Sequence, residues 1–96
     1  MAKGYWITFY RKIIDADALA AYAKLATPAI QAGGGKFLAR GLPVKVYEAA
    51  VKERAVLIEF ETVQKAVATF ESSDYQAAAK VLVGAVERDV RIVEGT

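Results

Sequence analysis

Arg40 and Glu59 are the two charges whose surroundings call for either a partner or a reaction. Arg40 ends a stretch otherwise built from Phe37 and Leu38, and Glu59 lies inside the most apolar stretch of the sequence, Arg54 to Glu61. A carboxylate in such a setting is paired, sits at a sheet margin, or has its pKa raised by desolvation. On one reading, Arg40 and Glu59, or a similar pair, form an ion pair that fixes strand or dimer register. On the other, they form the polar end of a small apolar pocket, in which Arg40 binds a carboxylate or enolate and Glu59 acts as base. Tyr5, Tyr22 and Tyr75 add hydroxyls on an apolar background, although aromatic rings at strand or helical spacing are first of all core material. Ser72 reads as a helix cap rather than a nucleophile, because no base stands near to activate it.

Composition removes many other chemistries. The 96 residues include no His, Cys or Asn, and nineteen are Ala. This excludes disulfides, zinc held by Cys or His, haem with a thiolate or imidazole ligand, and every Ser-His or Cys-His triad. The eleven carboxylates are scattered, and Asp15-x-Asp17 reads as a helix cap, so no metal site is expected. Gly33-Gly34-Gly35 precedes a strand and lacks the Lys-Ser/Thr of a phosphate loop. No cofactor is therefore expected. A net charge of +2 with both signs interspersed describes a mixed surface rather than a polyanion-binding one. The longest apolar run falls far short of the roughly 18 residues of a membrane span. Met1-Ala2-Lys3-Gly4 leads directly into strand-like sequence. A cytoplasmic protein with neither nucleic-acid nor membrane partners is the expectation.

The elements that must position these residues follow from periodicity. Tyr5 to Tyr10 is aromatic and β-branched, as strands are. Asp15 or Asp17 then caps a helix whose stripe is Leu19, Tyr22, Ala23, Ala26 and Ile30. Pro28 is expected to bend or loosen its last turn, and the triple glycine ends it. Lys36 to Arg40 predicts a second strand, broken by Gly41 and Pro43 and extended by Val44 to Glu48 beyond a bend or bulge. Arg54 to Glu61 is the third strand. Thr62 caps a short helix with the stripe Val63, Ala66, Val67 and Phe70. Ser72 or Ser73 starts another carrying Tyr75, Ala78, Ala79 and Leu82, and a last strand runs from about Glu87 to Glu94. The order β-α-β-β-α-β predicts a single α+β domain over residues 1–96. Its fold is ferredoxin-like, with a four-stranded antiparallel sheet and helices on one face.

One strand pattern carries further than the rest. Tyr5, Ile7 and Phe9 point one way while Trp6, Thr8 and Tyr10 point the other, and Val56, Ile58 and Phe60 oppose Ala55, Leu57 and Glu59. Both sheet faces are thus largely apolar, but one chain has helices for only one of them. Burying a large apolar side chain is worth about 1.5–3 kcal/mol. The second face therefore predicts a homodimer in which two sheets pack together. RNA-recognition domains share the element order and stack bases on such a face, but their third-strand aromatic signature is absent from Arg54 to Phe60.

The whole chain resembles domain-of-unknown-function family 1330, within the dimeric α/β-barrel superfamily. The resemblance is carried by Gly4-Tyr5-Trp6, by Gly34-Gly35-Lys36-Phe37-Leu38-Ala39-Arg40-Gly41, by Ile58-Glu59-Phe60, by Ser72-Ser73-Asp74-Tyr75-Gln76 and by Val93-Glu94-Gly95. It implies a dimeric α/β barrel and, as in the superfamily, a small aromatic or polar ligand held between helices and sheet. Tyr5, Tyr22, Arg40, Glu59 and Tyr75 are then the candidate ligand contacts, with Arg40 and Glu59 the catalytic candidates. Similar proteins often carry His where this chain has Gly33, Trp where it has Thr69, and Ser-Pro-Glu-Tyr in place of Ser72-Ser73-Asp74-Tyr75. Two functions are consistent with this: a small-ligand-binding or structural dimer, or a cofactor-independent monooxygenase or isomerase acting on a small aromatic or enolisable compound.

Overall fold

Alternation along Gly4–Ile13 (β1) decides the architecture. Trp6, Thr8 and Tyr10 are buried, while Tyr5, Ile7 and Phe9 remain on the opposite side. In the computed structural model, which describes residues 2–96, this strand is followed by Ala16–Ala32 (α1), Lys36–Gly41 (β2), Ala55–Phe60 (β3), Val63–Phe70 (α2), Ser73–Ala79 (α3) and Val86–Glu94 (β4). Met1, where the domain is expected to begin, lies outside the described residues. The sheet is antiparallel throughout, in the order β2-β3-β1-β4. This is an α+β, ferredoxin-like fold, and within one chain the sheet stays open rather than closing into a barrel.

The core lies between one sheet face and the helices. Val56, Ile58 and Phe60 of β3 join Trp6 and Tyr10 of β1 against Ala26 and Ile30 of α1, Ala66 of α2 and Ala78 of α3. Trp6 anchors an aromatic group, with the Tyr75 ring edge-on at 4.8 Å and that of Phe70 at 5.2 Å. Its indole N–H donates to Thr8 Oγ1 at 2.9 Å, which satisfies a buried hydroxyl. The helix starts are set by side chains. Asp15, not Asp17, accepts the first free N–H groups of α1. Thr62 accepts from Lys65 N, and Ser72, not Ser73, accepts from Tyr75 N.

Pro28 lies inside α1, which runs on to Ala32 and ends at the glycines, as the triple glycine predicts. The missing proline donor costs only one bond, and the final turns are closed by Gly33 N to Ala29 O at 3.2 Å and Gly35 N to Ile30 O at 2.9 Å. The strand extension expected over Val44 to Glu48 is absent, because β2 stops at Gly41. Gly41 at φ 149° turns the chain away, and Glu48 takes a positive φ of 57°. Leu42, Val44 and Tyr47 are consequently exposed, Val44 to 95%.

The second sheet face is bare in the single chain. It presents Tyr5, Ile7 and Phe9 beside Leu57 and Val93, and the molecule is a slab only 16 Å thick across its Cα atoms. Asp89 on this face pairs with Arg11 at 2.9 Å, while Arg91 Nε lies 3.3 Å from its other oxygen without hydrogen-bond geometry. A hollow of about 950 Å³ opens between Ile7, Phe9 and Leu57 of the face and Leu42, Tyr47 and Val51 of the segment that follows β2.

Candidate functional site

Two tyrosines and an arginine meet inside the helix-covered face. Tyr22 lies on the buried stripe of α1, and Tyr75 is placed in the first turn of α3 by the Ser72 cap. Their hydroxyl oxygens are 2.6 Å apart. Arg88 of β4 donates to both, from Nη1 to Tyr22 at 3.3 Å and from Nη2 to Tyr75 at 3.0 Å. Its guanidinium also stands over the Tyr22 ring at 5.2 Å and the Tyr10 ring at 5.9 Å. A cation on aromatic faces gains electrostatically from their quadrupoles, but the oxygens it binds are neutral. Among the described residues, no carboxylate oxygen comes within 4.0 Å of Arg88.

Tyr22 and Arg88 of this cluster line a cleft between α1 and the sheet, with Tyr75 behind them. Its walls are apolar, with Leu19, Ile30, Val56 and Ile58 among them, and Arg40, Arg54 and Arg88 all line it, whereas no acidic residue does. It has a volume of about 30 Å³, room for a water or two. Burial, reinforced by the adjacent Tyr75 oxygen, pushes the Tyr22 phenol well above its ordinary value despite Arg88. Burial, and then Tyr22, raise Tyr10 as well. Burial opposes the charge on Arg88, but the two tyrosine oxygens outweigh it and hold the guanidinium above its ordinary value. At neutral pH the cleft therefore offers protonated phenols and guanidinium N–H groups, all of them donors.

The candidates from the sequence divide between the two faces. Tyr22 and Tyr75 are brought together. Arg40 stands at the cleft mouth, 4.4 Å over the Phe37 ring and 3.4 Å from Thr27 Oγ1. Glu59 is on the opposite face, where Tyr5 donates to it at 3.3 Å and Lys3 lies 3.4 Å away. Within one chain the structure thus forms neither an Arg40–Glu59 ion pair nor a pocket that contains both, and Glu59 has Lys3 as its charged neighbour instead. The reason is a bulge in β2. Phe37 faces Ile58, and after the extra residue Leu38 the register resumes with Ala39 opposite Leu57 and Arg40 opposite Val56. That extra residue carries Arg40 to the helix side, away from Glu59. Arg88 and Arg54 were missed from the sequence, although Arg88 carried a signal. It interrupts the inward row Val86, Val90, Ile92 of an alternating strand, and an inward charge needs partners. Among the described residues, no three acidic side chains come together to hold a metal ion, and no helix is long and apolar enough to cross a membrane.

The family description of DUF1330, a domain of unknown function, matches residues 3–96. The chain belongs to the DUF1330 family. No curated protein matches this DUF1330 chain, but solved structures share its fold. A protein of unknown function from Rhodopseudomonas palustris superposes with a TM-score of 0.73 at 22% identity, covering 97% of this chain and 80% of that one. A dimeric ferredoxin-like protein of unknown function from Thermobifida fusca gives 0.68 at 15% identity, over 96% and 90%. SnoaB, a cofactor-independent oxygenase from Streptomyces nogalater, gives 0.67 at 8% identity, over 97% and 92%. At these identities the likeness of the DUF1330 chain to each is one of fold.

Proposed function

We propose that this DUF1330 chain is a homodimer joined through its bare sheet face, and that each protomer binds a small organic molecule in the cleft between α1 and the sheet. The carrying observation is that polar groups from β1, α1, β2 and β4 converge on an apolar-walled cleft, as they do in small-molecule sites. The dimer is supported by Tyr5, Ile7, Phe9, Leu57 and Val93, which share the bare face of a slab 16 Å thick. Dimeric relatives of the same fold agree with it. Sedimentation velocity at micromolar protein tests the assembly, and a monomer overturns it. A thermal-shift screen of small aromatic acids, quinols and lactones tests the cleft. Absence of any ligand-induced stabilisation leaves a structural dimer.

A second reading is a cofactor-independent monooxygenase or isomerase acting on an enolisable compound. It is favoured by Tyr22 and Arg88, whose donors suit an enolate or phenolate oxygen. The cleft holds no carboxylate or imidazole to take a proton, and Glu59 faces the other way. Such a substrate would have to be acidic enough to ionise without a side-chain base. Oxygen uptake with quinol substrates tests the monooxygenase arm, and exchange of the enolisable proton with deuterated solvent tests the isomerase arm; neither rising above buffer overturns the reading.

A further inference from the structure

The hydrogen bonds around the cleft leave it rich in donors. Arg88 uses two of its N–H groups on Tyr22 and Tyr75, and guanidinium groups accept nothing in return. Between the two phenol oxygens, 2.6 Å apart, one hydrogen forms the shared bond. The other phenol hydrogen is left over. Tyr22 lines the cleft and Tyr75 does not, so when Tyr75 donates to Tyr22, the leftover hydrogen is that of Tyr22 and is available to the cleft. The remaining Arg88 N–H groups, Arg40 and Arg54 add further donors. Among the described residues, Lys3, Arg11, Lys65 and Arg91 each lie within 4.0 Å of a carboxylate, whereas the remaining lysines do not. The three arginines around the cleft have no such neighbour among the described residues either, and they gather on one cavity that no acidic residue lines.

We infer that the cleft is a receptor for a small organic carboxylate, with its head group on Arg88 and Tyr22 and with Arg40 and Arg54 closing over it. This rests on the reading of the cleft as a ligand site and adds the class of ligand. A planar carboxylate has acceptor lone pairs only, and it matches a guanidinium through paired N–H···O bonds. The existing volume of about 30 Å³ accommodates little beyond the head group. A larger body needs a wall that can move, and Arg40 is an exposed side chain on an edge strand held to α1 by a single 3.4 Å contact with Thr27. Arg40 is therefore the movable wall, and Arg88, fixed by two tyrosines, is the fixed one.

Matched pairs of acid and amide test the inference on the full chain at neutral pH: acetate against acetamide, and benzoate against benzamide. Binding is followed by thermal shift and by the arginine Nε–H resonances. The acids are expected to bind about tenfold or more tightly than the amides, the loss anticipated when a charge-assisted contact becomes a neutral one. Tyr22→Phe and Arg54→Gln should each weaken benzoate about three- to tenfold while circular dichroism is unchanged. Arg88→Gln should abolish binding, and if that variant does not fold, the Tyr22 and Arg54 variants carry the test. Amides binding as well as acids would overturn the carboxylate assignment while preserving the ligand site. Acids binding equally to all variants would place them elsewhere and overturn it too. If neither series binds, the ligand reading itself fails.

Discussion

Tyr75→Phe isolates the cluster at its most buried point. Tyr75 is fully buried, so no water replaces a lost hydroxyl contact without opening the core. The hydroxyl makes one neutral bond, to Tyr22, and accepts one charged bond, from Arg88 Nη2 at 3.0 Å. A neutral hydrogen bond is worth about 0.5–1.5 kcal/mol net and one to a charged group about 1.5–3. Arg88 is only half-buried and keeps Tyr22 as an acceptor, so part of the charged term is recovered, and a cost near ~2 kcal/mol is expected. At about 4–8 °C per kcal/mol for a domain of this size, Tm should fall by about 8–16 °C. Tyr22→Phe should cost less, about 1 kcal/mol, because its bond from Arg88 is longer and it borders the cleft. Urea unfolding followed by far-ultraviolet circular dichroism reads both variants. Protein concentration must be held constant, since association adds to apparent stability, and m must match the parent. A Tyr75→Phe cost under about 0.5 kcal/mol, or a larger cost for Tyr22→Phe, would refute the assignment of these bonds as structural supports.

Three further outcomes are expected. Leu57→Lys, in the middle of the bare face, should convert the proposed dimer to monomer in sedimentation velocity, because it adds a charge and removes apolar burial worth about 1.5–3 kcal/mol in each copy; an unchanged dimer would move the interface off this face. Gly33→Ala places a Cβ into the Thr69 side chain, which is itself buried, and should cost about 1–3 kcal/mol by overpacking; adding Thr69→Ala should restore part of it, and no recovery would mean the cost lies in the backbone. Because the folded pKa of Tyr22 is raised, its share of stability is complete below the unfolded tyrosine value of about 10 and is lost as pH rises through the folded one. The urea midpoint should therefore decline more steeply above about pH 10 in the parent than in Tyr22→Phe, and identical profiles would show that Tyr22 is not held protonated.

What could be read in advance depended on how far each feature was set by local alternation. The two faces of β1 and β3 were legible because a period of two needs no partner to be recognised. The helices were legible from their stripes, although the choice between Asp15 and Asp17, or Ser72 and Ser73, rested on a backbone geometry that both residues of each pair can satisfy. The site was only half legible. Tyr22 and Tyr75 lie on buried helical stripes, and helix phase placed both in the core. Arg40 and Glu59 were misjoined, because their relation depends on strand register and a single extra residue at Leu38 reverses the face on which Arg40 emerges. Val44 to Glu48 has strand composition, but Gly41 and Pro43 leave it no ladder to join.

The edges of the sheet bear on how large an assembly this chain can build. β2, at one edge, is six residues long, opens on Lys36 and carries the bulge at Leu38. β4, at the other, sets Glu87, Arg88, Asp89, Arg91 and Glu94 into nine residues. Short, bulged and charged strands resist the strand-by-strand addition that produces fibres. The edges are thereby poor places for apolar association, which leaves the face. On the proposed pairing, a face used once by each of two copies is consumed in the act, so growth along that route ends at a closed pair rather than a filament.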